Sequence, residues 1–200
     1  MPRLPIPPDP PDKVFALAMP HHMLMKLRWE IAGLRSALSE PIETSAELHA
    51  PAYHAFNCAV TAWHMTDWIW QSATAEDRAE LLSKLAITAT GKSQNDFSAF
   101  TRALMKSHRV LHICRQIAIG SKHKIVERHP DPDVRAEEHW HVGRLRSRSG
   151  VSSANYSISL LIRDGEVLRP ALEVFEEAAQ TWNQLLRKWG WSEARWLGTC

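Results

Sequence analysis

The chain has 200 residues, of which 44% are hydrophobic and 23% are charged, and its formal net charge is +2. These values indicate one globular domain with its own core and leave no room for a second independent domain. Because the sequence has neither the roughly eighteen consecutive apolar residues of a membrane span nor a secretory leader, we expect a cytoplasmic protein without a membrane partner.

The sequence begins with a proline-rich stretch, since six of its first twelve residues are proline. This composition favours an extended chain rather than a helix or strand. We therefore predict a Pro-rich N-terminal arm over residues 1–13 and a single helical-bundle domain over residues 14–200.

Helical spacing of apolar residues begins soon after the arm and predicts three helices in the first half of the domain. Pro51 suits the first turn of the second helix, with Thr44 and Ser45 as candidate caps before it. Thr74 is placed to cap the third helix. The predicted spans are 21–38, 53–70 and 75–87.

Two more helices follow in the sequence. Ser93 or Asn95 is expected to cap a helix that continues to residue 105. The next apolar face covers residues 110–118, and Gly120 is expected to end that helix.

From residue 121 the apolar pattern changes from helical to alternating. Arg163, Asp164 and Gly165 suit a hairpin turn, and Pro170 opens a final amphipathic helix. The fold class is therefore mainly α, a helical bundle with a small antiparallel β-hairpin or sheet inserted at about residues 121–168, before the last helix. The predicted β segments are 124–128, 139–145, 156–162 and 166–168.

The helix predicted over residues 53–70 is apolar on nearly all sides, yet polar side chains follow one another along it. At 3.6 residues per turn they fall on or beside one face. A buried polar group without a partner costs roughly 1–3 kcal/mol, so we expect this polar line to meet other polar groups. The polar line is His54, Asn57, Thr61, His64 and Asp67, and its expected partners are Arg115, Lys122 and His123.

Positive charge is concentrated in residues 101–149, which contain eleven Lys and Arg against five Asp and Glu, an excess of +6. Six of the eleven histidines lie in the same stretch. This asymmetry is compatible with an anionic partner such as RNA or a nucleotide, and equally with a solvated basic surface.

Residues 115–123, RQIAIGSKH, contain an arginine, a polar residue and a later histidine. Here the chain resembles the HEPN-like superfamily of helical bundles, many of whose members are ribonucleases of toxin and antiphage systems. The resemblance implies that Arg115 stabilises charge on a scissile phosphate and that His123 acts as general acid or base. Seven residues separate the two, which is more than the usual family spacing.

The same resemblance implies how the protein assembles and works. HEPN-like ribonucleases bring two copies of the motif together across a subunit interface, so a homodimer is expected, with RNA or a nucleotide as ligand and an antitoxin or other protein as a further partner. The implied chemistry uses the RNA 2′-hydroxyl as nucleophile and needs neither metal nor cofactor.

Three alternatives to this interpretation remain open. Arg102 and His108 form a second arginine-to-histidine match, although Ala103 replaces the polar residue. The cationic side chains could instead satisfy the polar line in a buried network that fixes helix register. The protein could also be a non-enzymatic scaffold or oligomerisation module.

Metal and thiol chemistry find less support in the sequence. His64 with Asp67, and His139 with His141, have spacings that could share a cation, but no complete ligand set occurs and no metal is predicted. The three cysteines lack paired spacing, and we expect reduced, packed thiols. They are Cys58, Cys114 and Cys200.

Overall fold

The structure, a computed structural model, describes residues 17–42, 47–122, 130–146 and 152–191. The N-terminal arm, the predicted strand 124–128 and the predicted cap residues Thr44 and Ser45 lie outside these ranges. The described elements are, in chain order, α1 (Pro20–Ser39), α2 (Ala50–Ser72), α3 (Ala75–Lys84), α4 (Ser93–Ser107), α5 (Arg109–Lys122), β1 (Val134–Arg146), β2 (Ser152–Asp164), β3 (Val167–Pro170) and α6 (Ala171–Lys188).

Helix α2 packs against α1, α5 and α6 and keeps one face in solvent. The three helix contacts explain the apolar residues on its buried sides. Across the α2–α6 contact, the fully buried indole of Trp182 donates a hydrogen bond from Nε1 to the carbonyl oxygen of Ala62, at 2.9 Å. None of the described helices is long and apolar enough to cross a membrane.

Three of the predicted helix ends need correction. Helix α3 ends at Lys84 instead of residue 87, and Ala86 beyond it has a positive φ of 55°. Thr74 does cap α3, in a reciprocal capping box with Asp77. Helix α4, however, has Lys92 at its N-cap instead of Ser93 or Asn95, without a side-chain cap, because Ser93 already has helical backbone geometry. Helix α5 runs through Gly120 to Lys122, because glycine tolerates helical dihedrals where the surrounding residues favour them.

The sheet has the order β1-β2-β3 and is antiparallel throughout, which confirms the predicted fold class. Strands β1 and β2 pair over their full length and form a long hairpin, whereas β3 pairs only with residues 161–164 of β2. Ile158, Leu160 and Ile162 alternate along β2 and are buried in the common core. One face of the hairpin is thus attached to the bundle through β2.

Candidate functional site

Arg115 lies on α5 with its guanidinium over the indole ring of Trp63 on α2, 5.7 Å from the ring centroid. A cation in this position is attracted by the negative face of the ring. Burial lowers the pKa of the half-buried Arg115 from its ordinary value, yet an arginine stays charged in proteins. Among the described residues, no carboxylate pairs with Arg115.

Lys122 extends this surface along α5. It is exposed, in the last turn of the helix, and seven residues beyond Arg115, so the two cations share one face about 10.5 Å apart along the axis. We call Trp63, Arg115 and Lys122 the basic face. The sequence predicted both cations as site residues, but it did not indicate the stacking on Trp63.

The polar line of α2 is not the buried row that the sequence suggested. Asn57, His64 and Asp67 are exposed to solvent, and in the described ranges none of them is hydrogen-bonded to Arg115 or Lys122. Partial loss of water raises the pKa of the Asp67 carboxyl, while neighbouring His64 opposes that shift. Because these three side chains are exposed, they do not form the predicted buried network with Arg115 and Lys122, whereas the predicted partner His123 lies outside the described residues.

The other two residues of the polar line face α1. Thr61 is buried and accepts a hydrogen bond at 2.7 Å from Lys26 Nζ, which also contacts Glu30 Oε1 at 2.7 Å. The ring of His54 lies so close to Gly33 that a Cβ there would come within 2.7 Å of it. The i,i+4 spacing of Lys26 and Glu30 is a signal that sequence reasoning missed.

A cavity of about 410 Å³ lies where α2, α5 and the base of the hairpin meet. Its lining is largely apolar, and it includes none of the predicted site residues that the structure describes. It is lined by Phe56, Gln116, Ile117, Gly120, Pro130, Asp131, Val134 and Ala136.

A polar network beside this cavity was absent from the sequence analysis. Asp131 accepts a hydrogen bond from Arg109 Nη1 at 2.8 Å, and its Oδ2 lies 2.9 Å from His112 Nε2. Gln116 accepts a hydrogen bond from the Asp131 backbone N–H at 3.4 Å and lies beside His112. Gln116, the polar second residue of the HEPN-like match, is thus occupied in holding the loop that precedes β1.

His123 lies outside the described residues, so its predicted role stays a prediction. The competing pair is divided by a helix end, because Arg102 is exposed on α4 and His108 is the C-cap of that helix. His139 and His141 contact Glu137 and Ser159, respectively.

Metal and thiol chemistry gain no support from the geometry. Within the described part of the chain, no group of three or more His, Cys, Asp or Glu side chains is placed to hold a metal ion. Cys58 and Cys114 are free and buried, and burial raises the pKa of the Cys58 thiol to about 12 and raises the pKa of Cys114 as well. Neither is a reactive thiolate near neutral pH.

No protein-family model, curated protein or solved structure matches this chain. The HEPN-like resemblance continues to depend on the helical bundle and on the short segment that begins with Arg115 and Gln116.

Proposed function

We propose that the basic face binds the phosphate backbone of RNA. The observation that carries this proposal is the Arg115 guanidinium, which is held over Trp63 with no carboxylate among the described residues to neutralise it. An arginine fork matches two phosphate oxygens, and Lys122 supplies a second cation on the same face. An aromatic ring beside such cations also suits contact with an unpaired base.

The proposal extends to cleavage through the HEPN-like resemblance. In that mechanism Arg115 stabilises the negative charge that develops on the phosphate, and His123 acts as general acid or base while the 2′-hydroxyl attacks. Two copies of the chain would supply two motifs to one site. We accordingly propose a cytoplasmic, homodimeric, metal-independent ribonuclease of a toxin or antiphage system, with an antitoxin as a further partner.

Binding and cleavage are tested separately on the full chain in EDTA, with mixed-sequence single-stranded RNA. Arg115→Ala should weaken binding and abolish cleavage, whereas His123→Ala should abolish cleavage and leave binding intact. Arg102→Ala is the matched control, because it removes an equally charged, exposed side chain of the competing match. Fluorescence anisotropy measures affinity, and gel analysis of the strand measures cleavage.

The outcomes separate the alternatives. Cleavage that survives both Arg115→Ala and His123→Ala would remove these residues from the mechanism. Binding without cleavage in the wild type would leave an RNA-binding protein that is not an enzyme. Absence of RNA binding would contradict the proposal and favour the non-enzymatic scaffold. Sedimentation velocity would then measure whether the chain associates with itself.

A further inference from the structure

A histidine and a carboxylate are paired one helical turn before Arg115. His112 lies on α5, and its Nε2 is 2.9 Å from Oδ2 of Asp131, in the loop that precedes β1. Their side chains are only 21% and 16% exposed, respectively. Because a carboxylate only accepts hydrogen bonds, Nε2 of a neutral His112 ring carries the proton. The other ring nitrogen, Nδ1, then has a free lone pair.

This lone pair is not used elsewhere in the described part of the chain. There, the hydrogen-bond contacts of the His112 ring, to Asp131 and Gln116, are both made by Nε2. The buried polar side-chain atoms that lack a partner in the described ranges belong to Glu30 and His54, so Nδ1 of His112 is not one of them. Nδ1 is therefore open to solvent and to a bound molecule.

Arg115 follows His112 by three residues on α5. Side chains at this spacing lie on the same helix face, with about 5–6 Å between their Cβ atoms. Among the described histidines, His112 is the nearest to Arg115 along the helix. A phosphate held by the Arg115 guanidinium would thus lie beside the free nitrogen of His112.

Asp131 is itself held in place. Its carboxylate accepts a hydrogen bond from Arg109 Nη1 at 2.8 Å, and its backbone N–H donates to the Gln116 side chain at 3.4 Å. A carboxylate fixed in this way selects the tautomer and orientation of the imidazole and stabilises its protonated form. The arrangement is that of a base with an orienting group behind it.

We infer that His112 is the general base of the proposed RNA cleavage and that Asp131 is its positioning residue. Nδ1 of His112 takes the proton of the 2′-hydroxyl while the 2′-oxygen bonds to phosphorus and the bond from phosphorus to the 5′-oxygen breaks. The leaving 5′-oxygen takes a proton from His123, and Arg115 neutralises charge on the phosphate. The inference rests on the proposed function and divides its acid and base roles between two histidines.

The test measures cleavage of an end-labelled, mixed-sequence single-stranded RNA by the full chain in EDTA. His112→Ala removes the base, and free imidazole is added to replace it. Asp131→Asn keeps the shape of the side chain but removes the charge that orients His112. Its matched control is Asp164→Asn, because Asp164 accepts a hydrogen bond from Nε of the same Arg109, at 3.0 Å, whereas the His112 ring contacts Asp131.

His112→Ala should lower the rate of cleavage by about 100-fold or more, which is the usual contribution of general acid–base catalysis, and imidazole should restore part of it. Asp131→Asn should also lower the rate, whereas Asp164→Asn should cleave like the wild type although it too loses an ion pair with Arg109. All three variants should bind an uncleavable 2′-O-methyl strand like the wild type in fluorescence anisotropy. Thermal unfolding shows that each variant is folded.

Three results would overturn the inference. If His112→Ala cleaves like the wild type while Arg115→Ala does not, the proposed function stands and the base lies elsewhere. If Asp131→Asn and Asp164→Asn lose cleavage equally and imidazole restores nothing in His112→Ala, the network holds the fold and not a base. If the wild type binds RNA without cleaving it, the cleavage mechanism fails together with its base, and only the binding role of the basic face stands.

Discussion

Arg109 connects the start of α5 to two acidic residues that are distant in sequence. Its Nε donates to Asp164, at the end of β2, at 3.0 Å, and its Nη1 donates to Asp131, before β1, at 2.8 Å. Arg109→Ala removes these contacts and leaves two carboxylates near each other. We expect this variant to have a lower free energy of unfolding and a less firmly held hairpin base.

The expected loss in free energy of unfolding depends on how exposed the side chains of the two ion pairs are. The side chain of Arg109 is 46% exposed, whereas those of Asp131 and Asp164 are 16% and 25% exposed. Fully exposed ion pairs contribute about 0.2–1 kcal/mol, and hydrogen bonds to charged groups contribute about 1.5–3 kcal/mol. Each pair lies between these limits, so the variant should lose about 2 kcal/mol in total.

The effect should also depend on pH. Burial, the largest single influence, raises the pKa of Asp131, but hydrogen bonds from the Asp133 N–H and from Arg109 outweigh it and hold the pKa below its ordinary value. A carboxyl group with a depressed folded-state pKa stabilises the fold above its unfolded pKa, about 3.9, and that contribution is lost as the pH falls through the folded-state pKa. The cost of Arg109→Ala should therefore be largest near neutral pH and shrink in acid.

Urea unfolding followed by circular dichroism measures this cost at neutral and at acidic pH. Arg102→Ala serves as the control, since it removes an exposed arginine from α4 and should change the free energy of unfolding by less than about 0.5 kcal/mol. An Arg109→Ala variant as stable as this control, or one whose cost persists unchanged in acid, would refute the reasoning.

Three further substitutions are tested by the same unfolding assay. Trp182→Phe should cost about 2–3 kcal/mol, because it removes a buried hydrogen bond and leaves a cavity; a cost below 1 kcal/mol would contradict this. Thr74→Ala should cost about 1 kcal/mol through loss of the cap, and Thr74→Ser should restore most of it. Lys26→Met should cost clearly more than Lys84→Met, because the carboxylate of Glu30 is buried whereas the partner of Lys84 is exposed; equal costs would argue against this.

The succession of elements was predictable from local pattern. Apolar residues at helical spacing located α1, α2 and α6, and Pro51 and Thr74 marked two helix starts correctly. Two of the helix ends that failed had been assigned to single residues. Gly120 does not end α5, because a glycine costs only about 1 kcal/mol in a helix that packing already stabilises.

The candidate site was predictable only in part. The sequence singled out Arg115 and Lys122 as chemically suited to an anion, and the structure places both on one face of α5. The sequence pattern also grouped Thr61 with Asn57 and His64. In the structure, however, Thr61 faces α1 and the other two side chains face water. Periodicity gives the angle between side chains around one helix, but it does not show which neighbouring helix packs against each side chain.

The sequence alone therefore determined the mainly α architecture, the position of the antiparallel insertion and the concentration of positive charge in residues 101–149, because these depend on residue type and near-neighbour spacing. Only the tertiary structure decided that Trp63 lies beneath Arg115, that Arg109 joins Asp131 to Asp164, and that Asp131 pairs with His112. Those contacts join residues far apart in the chain, and they depend on how helices and strands pack in three dimensions.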